Sequence, residues 1–205
     1  MKLYYTPGAC SMAVHIVLEE AGLPYDLERI NLRASPRLTA DGRDFRTINP
    51  RNYVPALALP CGTVLTEAAA IMQYVADLVP GKGLVPRAGT LERAQLAEWL
   101  NFIATEIHKG TGPLWDVDGQ NSAGMKQRAW ARLSLRLDDV ETRLAGRDYL
   151  NGSYSVADAY LFTCLGWLGF LHHSLDRWPR IKALRARVFK RPAVQAAMTA
   201  EGLLG

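Results

Sequence analysis

A chemical reading of this chain starts at Cys10, in the run Thr6-Pro7-Gly8-Ala9-Cys10-Ser11. The cysteine follows a Pro-Gly turn and directly precedes Ser11, the predicted N-cap of a helix. A helix N-terminus stabilises negative charge, so a thiol there is biased toward the reactive thiolate. Ala13 stands where a C-x-x-C pair would place its second cysteine, so a disulfide at Cys10 would join it to an external small thiol. A small residue closing a turn is the alternative reading of this motif alone.

Three further segments can act with it. Val54-Pro55 joins a loop to a predicted strand. Pro55 by itself reads as an ordinary trans proline, whereas a cis bond would be a turn device, with the Val54 backbone placed to pair with an extended peptide. Thr66-Glu67-Ala68-Ala69 runs from a strand end into a helix. The first amides of that helix can hold a carboxylate and the Glu67 side chain an ammonium, with a plain helix-dipole glutamate as the alternative. In Glu98 to Lys109, the residues Asn101, Thr105 and His108 fall at i, i+4 and i+7, flanked by Glu106 and Lys109. That spacing predicts one polar helix face, either a cleft wall or a solvated surface.

Other candidates are weaker. His15 reads as a packed or capping residue, and His172-His173 as a surface turn. Arg128, Arg132 and Arg136 form a helical stripe, read as solvated face with a dimer or cleft wall as the alternative. Trp115, Phe102 and Tyr160 can line an apolar pocket, although core packing is the simpler account of the last two, as it is of Tyr5. Cys10, Cys61 and Cys164 have no metal-ligand spacing, so no metal site is expected and reduced thiols are the simplest account.

The elements that must position these groups have two textures. Up to about Val79, β-prone runs (Leu3–Tyr5, Leu27–Leu32, Ala56–Leu59, Thr63–Leu65) alternate with helical patterns before Gly22 and over Ala68–Leu78. The turn-rich stretch 80–88 reads as a linker. Behind it, Leu91–Lys109 and Met125–Leu144 each read as one helix. Ser155-Val156-Ala157-Asp158 reads as a capping box opening a buried helix, and two short helices follow near 178–189 and 193–200. The predicted architecture is therefore an α/β domain over 1–79 and an all-α helical bundle domain over 89–205.

With 49% apolar and 21% charged residues, the composition is that of a folded protein able to bury a core. The net charge of +4 comes from cations spread among carboxylates, not from a basic tail. No nucleic-acid partner is expected. The apolar run Ala159–Leu171 is too short to span a bilayer, so no membrane partner is expected either.

Together these motifs resemble the bacterial beta class of cytosolic glutathione transferases. The likeness rests on Lys2-Leu3-Tyr4-Tyr5-Thr6-Pro7-Gly8-Ala9-Cys10-Ser11, Ile48-Asn49-Pro50, Val54-Pro55-Ala56-Leu57 and Leu65-Thr66-Glu67. It continues through Glu98-Trp99-Leu100-Asn101-Phe102, His108-Lys109 and Val156-Ala157-Asp158-Ala159-Tyr160. The resemblance implies a thioredoxin-like glutathione-binding domain followed by the helical domain, in a cytoplasmic homodimer active in detoxification. It implies conjugation of reduced glutathione to a small hydrophobic electrophile, with glutathione as co-substrate and no cofactor. Cys10 and His108 are the implied catalytic residues. Ser11, Tyr53, Val54, Pro55, Glu67, Ala68, Asn101, Thr105, Glu106 and Lys109 are the implied glutathione contacts. The chain departs from the class pattern at Ala68, Tyr53 and Val14, and in a longer loop over Ser35–Asp41, where Arg37 is the nearest cation for the glycyl carboxylate. A glutathione-dependent thiol–disulfide oxidoreductase using Cys10, or a non-catalytic ligand-binding or dimerisation module, are the alternatives.

Overall fold

The computed structural model describes residues 1–116 and 119–204. The chain forms two compact units, Met1–Val85 with Lys190–Gly205, and Pro86–Phe189. The C-terminal segment, read from sequence as part of the helical domain, thus clusters with the first unit.

In the first unit β1 (Lys2–Tyr5), β2 (Asp26–Arg29), β3 (Ala56–Ala58) and β4 (Val64–Thr66) form one sheet in the order β2-β1-β3-β4. Strand β1 is parallel to β2 and antiparallel to β3, so Leu3 lies between Leu27 and Leu57. Helix α1 (Ser11–Ala21) follows β1, and α2 (Ala68–Asp77) follows β4. Every residue of α1 from Ser11 to Leu18 is buried, because α2 and α8 (Pro192–Ala200) both pack on it. Each fully buried Val, Ile or Leu side chain contributes roughly 1.5–3 kcal/mol. Gly22 ends α1 in the left-handed conformation (φ 68°) that glycine adopts without a Cβ clash. Tyr4, Ile30, Phe45, Val54 and Ala56 make a second cluster beneath the Val54 turn. Strand β2 stops at Arg29, short of the predicted Leu32.

In the second unit α3 (Leu91–Phe102) does not continue regularly to Lys109. It passes into a π-helical turn (Ile103–His108) and a 3₁₀ turn (Lys109–Thr111), followed by the short α4 (Gly112–Trp115). Helices α5 (Ala123–Arg143), α6 (Val156–Phe170) and α7 (Pro179–Phe189) complete the unit. Glu141 on α5 accepts the Arg180 and Ile181 amides, both at 3.0 Å, and so caps α7 from a neighbouring helix.

Helix α6 is buried along most of its length. Its start depends on the predicted Ser155–Asp158 capping box. The Asp158 carboxylate accepts the Leu150 amide, the Ser155 amide and the Ser155 hydroxyl, each at 2.9 Å. Burial pushes the Asp158 carboxyl up to about 6, against donors that favour the ionised form. Asp158→Ala is expected to lower stability by about 2–4 kcal/mol in urea unfolding, through a lost cap and a buried Leu150 amide left without an acceptor. Between the ordinary 3.8 and about 6, the folded chain keeps a proton that the unfolded chain releases. This stabilisation is complete below that window and lost as pH rises through it. Asp158→Asn, which cannot ionise, should remove that slope from a plot of urea midpoint against pH.

Candidate active site

Cys10, partly exposed, takes the N-cap position of α1 in place of the expected Ser11. Ser11 is instead the first helical residue and fully buried. Its hydroxyl accepts the Thr6 amide at 3.1 Å and donates to the Thr6 carbonyl at 3.2 Å. Ser11 therefore braces the loop and is a positioning residue, not a surface contact. The Cys10 thiol donates to the Val54 carbonyl at 3.4 Å. Two opposed influences meet at this sulfur: the helix end favours the thiolate, whereas the carbonyl favours the protonated thiol.

The Val54–Pro55 bond is cis, not the trans form that the proline alone suggested. Asn49, only 1% exposed, shapes the turn before it. Its side chain donates to the Tyr53 carbonyl at 2.6 Å and accepts the Arg51 amide at 3.1 Å.

At the start of α2, Glu67 adopts φ 68° and ψ 112°, a conformation that costs a residue with a side chain of order 1–3 kcal/mol. Its carbonyl accepts the Ala70 and Ile71 amides, and its side chain makes no cap. The amides of Ala68 and Ala69 thus begin the helix at its positive end. The Glu67 carboxylate accepts the Tyr53 hydroxyl at 2.6 Å, and this hydrogen bond, with burial, raises the phenol above its ordinary range. Arg51 donates to the Thr66 hydroxyl at 2.8 Å. The fold therefore gathers Tyr53, Glu67 and Ala68 in one place and adds Arg51, a residue that no spacing pattern marked.

Arg37 does not serve as a free cation. Its guanidinium donates to the Leu32 carbonyl at 3.0 Å and to the Asn52 carbonyl, tying the loop together. Beside it lies a cleft of about 550 Å³ lined by Leu32, Arg33, Pro36, Asp44 and Asn52 among others.

In the second unit the predicted polar stripe divides. The Asn101 amide donates to the Ala97 carbonyl and the Thr105 hydroxyl to the Asn101 carbonyl, both along their own helix. Glu106 pairs with Arg136 at 2.5 Å, with Arg132 at 3.7 Å. Thr105, Glu106 and Lys109 line a cleft of about 420 Å³ with Met125, Arg128 and Arg132, so the arginine stripe is in part a cleft wall. His108 departs from this face. Its Nδ1 lies 2.7 Å from the Tyr160 hydroxyl and its ring 4.9 Å from that of Trp167. The physical reason is the π-helical winding, which breaks the i, i+7 register that the sequence spacing assumed. Tyr160 is buried as expected, yet it carries a polar contact the core reading lacked. His173 stacks on Trp130 at 3.6 Å instead of lying in an open turn. Among the described residues, no group of three or more His, Cys, Asp and Glu could hold a metal ion, and no helix is long and apolar enough to cross a membrane.

Comparison with known proteins decides the family. Residues 8–78 match the glutathione S-transferase N-terminal domain and residues 126–187 the glutathione S-transferase C-terminal domain. The chain is 42% identical over 204 residues to glutathione S-transferase GstA of Escherichia coli O157:H7, covering 99% of this chain and 100% of that protein. This chain belongs to the glutathione S-transferase family. A sphingomonad glutathione S-transferase solved in complex with glutathione has a TM-score of 0.93 and 41% identity, covering 99% of this chain and 100% of the other. The beta-class glutathione S-transferase of Sphingomonas chungbukensis has a TM-score of 0.93 and 39% identity, with both chains covered in full. The expected fold class and the beta-class resemblance are borne out.

In this glutathione S-transferase the loop carrying Cys10 is clamped from the C-terminal segment. Glu201 has one carboxylate oxygen 2.8 Å from His15 Nδ1 and accepts the Gly8 amide on the other, also at 2.8 Å. Both side chains of the His15–Glu201 pair are fully buried, which fits the packing role read for His15. Removing one partner of a buried pair leaves a polar or charged group without compensation. Glu201→Ala is expected to cost about 3–5 kcal/mol in urea unfolding. A loss below about 1 kcal/mol would show that the clamp does not hold the loop.

Proposed function

We propose that this glutathione S-transferase joins the sulfur of reduced glutathione to a small hydrophobic electrophile. The observation that carries the reading is the start of α2, where Glu67, strained in its backbone, precedes the helix-end amides and its carboxylate accepts the Tyr53 hydroxyl. A γ-glutamyl end presents an ammonium and a carboxylate together: the ammonium suits Glu67 and Tyr53, and the carboxylate suits the Ala68 and Ala69 amides with Arg51. The absence of a hydroxyl at Ala68 leaves the backbone to do that work. The Val54 main chain, next to Pro55, pairs with the cysteinyl part of the tripeptide as an added strand would. When a peptide N–H competes for the Val54 carbonyl, the Cys10 thiol is released to donate to the glutathione sulfur.

Glutathione gives up its thiol proton, its thiolate attacks the electrophilic carbon, a carbon–sulfur bond forms and the leaving group departs with its electron pair. The first unit contributes the positive end of α1. In the second unit, His108 is the proton-handling group, while Asn101, Thr105, Glu106 and Lys109 are assigned to ligand contact. We place the protein in the cytoplasm as a homodimer in which it removes reactive electrophiles.

One observation favours a second activity. Cys10 is partly exposed and Ala13 stands at the resolving position of its motif, so attack of Cys10 on oxidised glutathione would leave a mixed disulfide and release one reduced glutathione. Purified protein should form a thioether from glutathione and a reactive aryl halide. Glu67→Ala should raise the KM for glutathione by roughly 10–100-fold, the loss of a charge-assisted contact. Cys10→Ala should keep thioether turnover to within about tenfold, one hydrogen bond's worth, and, with the exposed Cys61 replaced by Ser in both proteins, should lose the mass gain that oxidised glutathione produces. Failure of the protein to retain glutathione at all would leave the non-catalytic module.

A further inference from the structure

The helical unit contains a buried hydroxyl–imidazole contact that the transferase chemistry does not by itself require. Tyr160 sits in the first turns of α6, is only 3% exposed, and places its hydroxyl 2.7 Å from His108 Nδ1. The two rings meet edge to face at 83°, and the Trp167 ring lies 4.9 Å from the imidazole at 63°. His108 ends the π-helical turn, and that winding carries it off the Thr105–Lys109 face toward α6. π turns in otherwise regular helices frequently mark functional positions.

A neutral imidazole donates from one nitrogen and accepts on the other, so the partner of one nitrogen decides what the other does. A phenol is a much better donor than acceptor, because its oxygen lone pairs are drawn into the ring, and 2.7 Å suits O–H donation to a ring nitrogen. Resting on the proposed proton-handling role of His108, we propose that Tyr160 is the positioning residue for it: the phenol donates to Nδ1, fixes the Nε2–H tautomer and, with Trp167, sets the plane of the ring. Tyr160 stands two residues beyond Asp158, whose capping box anchors the first turn of α6. The hydroxyl is thereby carried on a rigid element. A buried tyrosine that merely needed some acceptor would not constrain the tautomer in this way.

The test reads the ring nitrogens of His108 directly. The full-length protein is labelled with ¹⁵N-histidine, and its four imidazoles are followed by long-range ¹H–¹⁵N correlation. His108 is assigned by the signals lost in His108→Gln. The wild type should show an unprotonated, hydrogen-bonded Nδ1 and a protonated Nε2. Tyr160→Phe, which keeps the ring and the packing, should shift both nitrogens toward tautomer averaging. It should also lower kcat for thioether formation roughly five- to tenfold, the equivalent of one hydrogen bond, with the KM for glutathione within about twofold. A protonated Nδ1 in the wild type, or His108 signals and kcat unchanged in Tyr160→Phe, would overturn the proposal. The tautomer is read whether or not the protein forms thioethers, so a failed transferase reading and a failed Tyr160 assignment give different results.

Discussion

Glu201 is a carboxylate withdrawn from water with both oxygens committed, one toward His15 and the other to the Gly8 amide. A buried carboxylate is tolerable only while those partners remain, so the contact acts as a constraint on everything attached to them. Gly8 lies two residues before Cys10 and His15 one turn into α1, so the same side chain governs the entry to the helix and its first turn. The Ser11 hydroxyl closes the loop onto Thr6 from within. The sulfur at the start of α1 is thus placed by a residue almost two hundred positions away in sequence.

Around that sulfur the local fields are balanced instead of one-sided. Backbone amides at the end of α1 attract negative charge, and the Val54 carbonyl holds the thiol proton. At the start of α2 Glu67 holds a strained backbone directly before the first amides of the helix. Strain of this kind persists where surrounding contacts over-determine it, and here Tyr53 hydrogen-bonds to the same glutamate.

In the helical unit a change of winding has comparable consequences. The π-helical turn over Ile103–His108 separates the Thr105, Glu106 and Lys109 face from His108. One face meets the arginines of α5, and the imidazole meets Tyr160 and Trp167 of α6. The Tyr160 hydroxyl that His108 meets is carried on a helix whose start is anchored by Asp158.

The sequence alone determined the features whose causes are local. The strands around Leu3 and Leu57, the stop at Gly22, the Ser155–Asp158 box and the Cys10 turn follow from side-chain periodicity, glycine geometry and capping chemistry within a few residues. Cys10, Glu67 and Val54 could be singled out because each sits at a strand or helix end, where the local backbone pattern marks the position. Tertiary structure decided the partners. The docking of Glu201 on Gly8, the capture of Arg37 by loop carbonyls, the recruitment of Arg51 and the turning of His108 toward Tyr160 join residues with no common period. A hydrogen-bond partner is selected by packing between distant segments, and a single extra residue in a helical turn redirects a side chain that sequence spacing would place elsewhere.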